Sequence, residues 1–485
     1  MHNWLLRRAQ LTPEQIALVE GVRSWTWADV AELAQRRASW LHTQYPAPRV
    51  ALQATNSVET VLWLWGALTA GKTVALLNPR LSDGELAPLV SRMGVEAALP
   101  PLTWSESTHS AKSKVNPEWP TWELDDHATI MFTSGTTGAP KAVIHSFGNH
   151  WASATASALN LGIERDPAAW VCAVPLCHVS GLSMLIKSVL YGSTLHLLPR
   201  FDAGIANRLL LTGEAGYISV VPTMLKAMLK DLGHRQYPGS LRALLLGGSD
   251  VDPTLIAAAE AVGAPVIYSY GMTETASQIV AFPPGRRQEA PGASGLPLFS
   301  TEVRVRDERL EVRSPTVCVG FLDDPCAYAA AWTQDGWFRT NDVATIDAHG
   351  FVTVHARSTE LIISGGENVY PSEVAAVLRT FPGVTEAVVV GIPDDRWGHV
   401  PAAMMASREV VDVDRLHRHC QARMAGFKVP RKLLLVDELP RLVSGKPDLL
   451  RIQRELSVHA DVGQLVAMTG LDVRMIAPDT DEDFD

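Results

Sequence analysis

Residues Thr133 to Lys141 read TSGTTGAPK and follow the apolar run TIMF. Hydroxyl side chains, two glycines and a lysine this closely spaced suit a loop that wraps phosphates. Gly135 and Gly138 let backbone N–H groups approach, Thr133, Ser134, Thr136 and Thr137 donate hydrogen bonds, and Lys141 adds a positive charge. A polar surface turn is the plain alternative. Spacing excludes a P-loop, which needs G-x-x-x-x-G-K-[ST]. Counted from Gly135, the sixth position is Pro140, and Ala142 follows the lysine.

Further along, Thr273 and Glu274 lie in SYGMTET (Ser269–Thr275), a turn after another apolar run. A carboxylate beside a triphosphate can hold Mg2+, a hard cation that prefers oxygen ligands. A solvated surface glutamate is the alternative. Lys446 closes LPRLVSGK (Leu439–Lys446) and is either a phosphate-directed cation or an ordinary exposed lysine. Lys187 interrupts the apolar stretch MLIKSVL, and Arg200 follows the next strand. A lysine in such a helix either snorkels its charge to the surface or keeps it for a partner.

These groups need rigid elements to place them. Helical spacing of apolar residues runs over Trp27–Leu41 and Val58–Ala70, with strands at Arg49–Ala54 and Val74–Leu77 between and after them. Strand candidates Ala128–Phe132, Trp170–Val174, Gly216–Val221, Leu241–Leu246 and Pro265–Tyr268 again alternate with helices, and several end in Gly, Ser or Thr clusters. Such alternation implies a mostly parallel sheet, with ligands at the carboxyl ends of its strands. Ser105–Trp122 reads as an exposed loop. After Arg357 the texture becomes that of a small α+β domain, with strands at Val388–Ile392 and Lys432–Val436 and a helix at Val413–Met424. The fold class is therefore α/β, with a large N-terminal domain over 1–357, a small mobile domain over 358–456, and an extension over 457–485 ending in a disordered acidic tail, DTDEDFD.

Composition narrows the function. The 485 residues are 47% hydrophobic and 19% charged, with a formal net charge of −10, as expected of a soluble enzyme and without the basic footprint of a nucleic-acid binder. The five cysteines form no C-x-x-C pair and read as reduced thiols. The N-terminal segment lacks a signal peptide's apolar core, and no run of apolar residues is long enough to span a membrane, so a cytoplasmic protein is expected.

The phosphate loop resembles the signature of the adenylate-forming superfamily, which holds acyl-CoA synthetases, peptide-synthetase adenylation domains and beetle luciferases. Further motifs follow in that family's order: PLCHVSGL (Pro175–Leu182), LLGGS (Leu245–Ser249), SYGMTET, GASGLP (Gly292–Pro297), GWFRTND (Gly336–Asp342), the stretch Ala356–Val374 and LPRLVSGK. The resemblance implies ATP, Mg2+ and coenzyme A, and an acyl-adenylate intermediate. It implies Glu274 at the metal, Asp342 on the ribose hydroxyls, Arg357 near ribose and phosphates, Tyr270 on the adenine, Gly247 and Gly248 beside the base, and Lys446 at the α-phosphate. Thr359 would be the hinge about which the small domain rotates between half-reactions, and Gly365 and Gly366 would line the pantetheine tunnel. Two departures stand out. Asn341 replaces the usual glycine before the aspartate, and Pro447-Asp448 follow the lysine where the family continues with apolar and basic residues.

Segments outside the generic motifs, including SFGNHWASATASALNLGI (Ser146–Ile163), LIKSVLYG (Leu185–Gly192) and SVVPTML (Ser219–Leu225), resemble members that act on an aromatic acid bearing a second carboxylate. That acid's spare charge needs a partner, since burying it alone is costly. Lys187 and Arg200 are the candidates, with His178 and Ser277 as further pocket residues. Another acyl- or aryl-acid CoA ligase, or a module loading a carrier protein, shares the nucleotide motifs. Small molecules are the expected partners, and self-association as a homodimer or larger homo-oligomer is left open.

Overall fold

The computed structural model describes residues 2–81, 83–95, 119–133, 140–163, 168–247, 251–357, 362–364, 367–394, 397–407, 411–442 and 445–458. The chain divides into two compact units. The first comprises Met1–Arg306, Glu311–Thr340 and Ile346–Thr353, and the second Asp307–Leu310, Asn341–Thr345 and Val354–Asp485.

A nine-stranded sheet dominates the first unit. Its order is Leu296–Pro297, Ser277–Ala281, Val266–Met272, Ala243–Leu246, Tyr217–Val220, Trp170–Cys172, Leu195–Leu197, Ile16–Glu20 and Arg23–Thr26. The middle strands pair in parallel. Runs such as ALLL and WVC are unbroken and apolar because every residue in them is buried, on both faces of the sheet. Both edges are antiparallel, and the one ending in Ser277–Ala281 and Leu296–Pro297 follows directly on the Thr273–Glu274 turn. A second sheet runs Gly320–Phe321, Lys141–Ser146, His127–Thr133, Thr73–Leu77 and Arg49–Gln53. The expected helices extend over Trp27–Gln44 and Val58–Thr69, the first opened by a capping box between Thr26 and Asp29.

The expectation of an exposed loop over Ser105–Trp122 fails at its end. Trp122 is buried, stacks on Phe147 at 4.2 Å and donates from its indole nitrogen to the Leu68 carbonyl at 3.2 Å. Two nearby prolines and a polar surround masked a large apolar side chain that holds the loop's end against the core. Residues 105–118 of that segment lie outside the described residues.

A four-stranded sheet comprises Glu302–Arg306, Arg309–Arg313, Phe338–Ile346 and Val352–Arg357. In the second unit, a sheet orders Glu367–Val369, Ile362–Ser364, Gly398–Ser407 and Val384–Asp394, and Lys432–Val436 joins Gly398–Ser407 in parallel. Helices Pro371–Arg379, Val413–Gln421 and Leu449–Val458 belong to the same unit. The last helix covers the first two residues of the expected extension, and the acidic tail lies outside the described residues. All five cysteines are free thiols. Among the described residues, no helix is long and apolar enough to cross a membrane.

Candidate active site

Thr273–Thr275 form a single 3-10 turn inside a hairpin between Val266–Met272 and Ser277–Ala281. The Thr275 hydroxyl ties the hairpin shut. It accepts from the Met272 N–H at 3.1 Å and lies 2.9 Å from the Ser277 carbonyl oxygen, to which it can donate. That carbonyl passes so close to Gly271 that a Cβ there would sit 2.1 Å from its oxygen, which is why YGMTE requires a glycine at this point. Beyond the turn, Ala276 has φ +54° and Ser277 φ +136°, conformations that side-chain-bearing residues avoid. Such strain collects where a function fixes the backbone.

Thr133 and Lys141, the two ends of the phosphate loop, face each other as the last pair of an antiparallel ladder. Ser134, Gly135, Thr136, Thr137 and Gly138 lie outside the described residues. Lys141 sits over the Phe321 ring at 5.2 Å. Burial and then the Glu274 carboxylate push the buried Cys318 thiol up, while Lys141 pulls it down. Both charges therefore lie within electrostatic reach of one sulfur, so the structure brings Glu274 and Lys141 together. Arg92, which the sequence does not mark, holds the loop's base. It forms a bidentate pair with Asp323 and donates to the Pro140 carbonyl. Asp323 is 231 residues away, a separation no local pattern reveals.

The helix Val179–Tyr191 carries the acid-pocket candidates. His178 is its N-terminal cap residue and makes no side-chain capping bond. Gly181 is required because a Cβ would lie 2.3 Å from the Pro175 carbonyl. Lys187 does not snorkel. It is 3% exposed, and loss of hydration pulls its ammonium down to about 8. Among the described residues it has neither a hydrogen bond nor a counter-ion. The other buried cations differ: Lys72 donates to the Tyr45 and Ala47 carbonyls at 2.7 and 2.8 Å, and Arg37 pairs with Glu59 at 2.6 Å. One helical turn before Lys187, on the same face, stands Ser183, to which Ser277 donates at 3.3 Å. Sequence reasoning missed Ser183, although its spacing of four from Lys187 could have found it. Arg200 is exposed.

Tyr270 is half-buried beside Met272, and a Cβ on Gly247 would meet the Ser269 carbonyl at 2.9 Å, so the backbone there runs close to the next strand. Asp342, in the second unit, is 6% exposed. Asn341 before it adopts φ +62°, the left-handed conformation a glycine would take. Asparagine tolerates that region better than other residues with a side chain, so the substitution preserves the turn. Lys446 is exposed, in a tight loop where the Leu442 N–H donates to the Lys446 carbonyl and Gly445 has φ +82°. The Pro447-Asp448 departure does not leave a strand after the lysine. Pro447 bridges to Arg441, and Asp448 caps the helix Leu449–Val458 by accepting from the Arg451 N–H. Arg357 ends the strand Val352–Arg357, while Gly248, Thr359, Gly365 and Gly366 lie outside the described residues.

The donors fit Mg2+ and ATP. Magnesium is usually held by one or two carboxylates together with phosphate oxygens and water. Glu274 supplies one carboxylate on a pinned turn near Lys141. Among the described residues, no cluster of three or more His, Cys, Asp or Glu would form an all-protein cage.

Residues 5–321 match the AMP-binding enzyme family, and residues 373–446 match the AMP-binding enzyme C-terminal domain. A 2-succinylbenzoate–CoA ligase of Geobacillus sp. (strain WCH70) is 40% identical over 479 residues, covering 93% of this chain and 96% of the relative. A 2-succinylbenzoate–CoA ligase of Listeria monocytogenes serovar 1/2a is 38% identical over 459 residues, covering 92% and 97%. Among solved structures, o-succinylbenzoate CoA synthetase from Bacillus subtilis in complex with its acyl-adenylate intermediate matches with a TM-score of 0.86 at 36% identity, covering 94% of this chain and 98% of that one. The same enzyme in complex with ATP and magnesium ion gives 0.85 at 35%, covering 94% and 99%.

The Asn341 geometry makes a prediction for ATP affinity. Asn341→Gly keeps the KM for ATP within about twofold, while Asn341→Val forces a β-branched residue into φ +62° at a cost of about 1–2 kcal/mol and raises that KM severalfold. Steady-state kinetics on the two variants decides; a silent valine would remove the conformational requirement.

Proposed function

The chain belongs to the AMP-binding enzyme family, and from that premise we propose that it joins 2-succinylbenzoate to coenzyme A, a step of menaquinone biosynthesis. The products are 2-succinylbenzoyl-CoA, AMP and diphosphate. Similarity to ligases of that acid over more than nine-tenths of the chain supports the reading. The observation that carries it here is Lys187, a buried ammonium without a counter-ion among the described residues. An acid with one carboxylate to activate and another to keep charged supplies that counter-ion. A fatty acid would leave the lysine unpaired beside a hydrocarbon chain, which is costly. Arg200, exposed to water, has no such need.

In the first half-reaction the acid's reacting carboxylate oxygen attacks the α-phosphorus of ATP. The bond from that phosphorus to the bridging oxygen breaks and diphosphate leaves. Lys187, with Ser183 and Ser277 beside it, fixes the other carboxylate and so orients the attacking one. Lys141 and the phosphate loop hold the triphosphate, and Glu274 would hold Mg2+, which neutralises charge on the departing diphosphate. Asp342 accepts from the ribose hydroxyls. Lys446 meets the charge that grows on the α-phosphate oxygens, a contact stronger in the transition state than in the ground state. In the second half-reaction the CoA sulfur attacks the acyl carbonyl and AMP leaves. The family resemblance assigns Gly365 and Gly366 to the pantetheine arm and Thr359 to the hinge, residues that lie outside the described ones.

The test is product analysis by mass spectrometry with enzyme, Mg-ATP, CoA and a panel of acids. 2-Succinylbenzoyl-CoA and AMP should form, with other acids slower by about tenfold or more, roughly 1.4 kcal/mol of discrimination. Another acid turning over while 2-succinylbenzoate stays inert would refute the substrate. Acyl transfer to a protein-bound thiol, with free CoA unused, would favour a carrier-loading module.

Two substitutions separate the roles. Lys187→Met should cut kcat/KM for 2-succinylbenzoate by about 2 kcal/mol or more, roughly thirtyfold, and hardly touch 4-phenylbutyrate. The same change relieves an unpaired buried charge, so the ligand-free variant melts at a higher temperature than the parent. Equal losses on both acids would return Lys187 to a structural role. Lys446→Ala should slow adenylate formation by about 3–4 kcal/mol, several hundredfold, and leave thioester formation from supplied acyl-adenylate intact. Equal loss in both steps would remove the lysine from the α-phosphate.

A further inference from the structure

The turn that carries Glu274 is held by donors from outside its hairpin. His145 Nε2 lies 2.7 Å from the Thr273 carbonyl oxygen. The Cys318 N–H donates to the Glu274 carbonyl at 2.7 Å, and the Ser153 hydroxyl donates to the Ala276 carbonyl at 3.2 Å. The carbonyls of Thr273, Glu274 and Ala276 thus each meet a donor fixed on another element. These bonds over-determine a backbone that would otherwise relax from the strained angles at Ala276 and Ser277.

His145 is the side chain among these that acts just ahead of the carboxylate. It is wholly buried. A carbonyl oxygen only accepts, so Nε2 carries the proton and Nδ1 is bare. Nδ1 is buried with no hydrogen-bond partner among the described residues. An orphaned ring nitrogen costs stability, and an apolar side chain would fill the space without that cost. What the imidazole contributes is its one bond to Thr273. The neighbouring buried imidazole, His150, with its ring 5.3 Å from that of His145, is engaged elsewhere, 2.8 Å from the Thr129 hydroxyl.

His145 also shares a strand with Lys141. Side chains alternate along the strand Lys141–Ser146, so Lys141, Val143 and His145 lie on one face. A single rigid element places the phosphate-loop lysine directly and the acidic turn through one hydrogen bond.

We propose that His145 is a positioning residue for magnesium–ATP: its Nε2–H bond to the Thr273 carbonyl sets where the Glu274 carboxylate stands relative to Lys141. The inference rests on Glu274 acting at the metal. Glutamine's amide nitrogen reaches about as far as Nε2, whereas asparagine's matches the Nδ1 position and cannot reach Thr273.

The experiment is calorimetric titration of Mg-ATP into acid-free enzyme, with His145→Leu, His145→Asn, His145→Gln and Glu274→Gln, alongside thioester formation from supplied acyl-adenylate. His145→Leu and His145→Asn should weaken Mg-ATP binding by about tenfold or more, as loss of an orienting partner of a metal ligand does, and His145→Gln should stay within about threefold of the parent. Thioester formation should be unchanged in all three. Parental affinity in His145→Leu, glutamine failing as badly as asparagine, or both half-reactions falling together would overturn the positioning role. If the leucine variant does not fold, the asparagine–glutamine contrast decides. Unaltered binding in Glu274→Gln would overturn the metal role of Glu274. A loss there with none at His145→Leu would overturn only the role of His145.

Discussion

An ammonium buried in an apolar helix, with no partner among the described residues, is the constraint on which the proposed acid pocket rests. Lys187 is 3% exposed and has lost enough hydration to bring it down to about 8. A fold that needed only packing at this position would carry leucine or methionine. The carbonyls of Val189, Leu190 and Gly192 at the helix's end are taken by Arg8 and Gln15, so they are already engaged by other donors. Ser183 stands one turn away on the same helix and accepts from Ser277.

The nucleotide side depends on rigidity more than on charge. Thr273–Glu274 sits on a turn whose conformation is costly by itself and is sustained by bonds from other elements. Lys141 stands at the last rung of a ladder, and Arg92 clamps the residue before it. Groups that must meet a triphosphate in one geometry gain most from such preorganisation, because no reorganisation remains to be done at the moment of reaction. Ser277 links the two elements: it follows the turn and donates to Ser183 on the helix that carries Lys187.

Much of this was legible in the sequence. Helices Trp27–Leu41 and Val58–Ala70 and the parallel strands appear within a few residues of their expected ends, because amphipathic and wholly buried elements impose strong patterns. The motifs singled out Glu274, Lys141, Asp342 and Lys446 as candidates, and the first two stand within electrostatic reach of one buried thiol, Cys318. What escaped was set by contacts distant in sequence. Trp122 in a polar segment packs on Phe147 and Leu68. Arg92 meets Asp323, and His145 meets Thr273 across 128 residues. The two departures were visible but not their outcome: Asn341 keeps the left-handed turn, and Asp448 starts a helix. Whether Lys187 snorkels could not be read from a helix pattern at all, since burial of its charge depends on which elements cover that face.

The most direct test of the pairing is the proton count on binding. A lysine near 8 is about half-protonated at that pH, and a carboxylate placed against it draws the proton on. Calorimetric titration of 2-succinylbenzoate at pH 8, in buffers of different ionisation enthalpy, should show uptake of about half a proton per site, falling toward zero near pH 6 and absent in Lys187→Met. No uptake at pH 8, or the same uptake without the lysine, would contradict the claim that Lys187 awaits the second carboxylate.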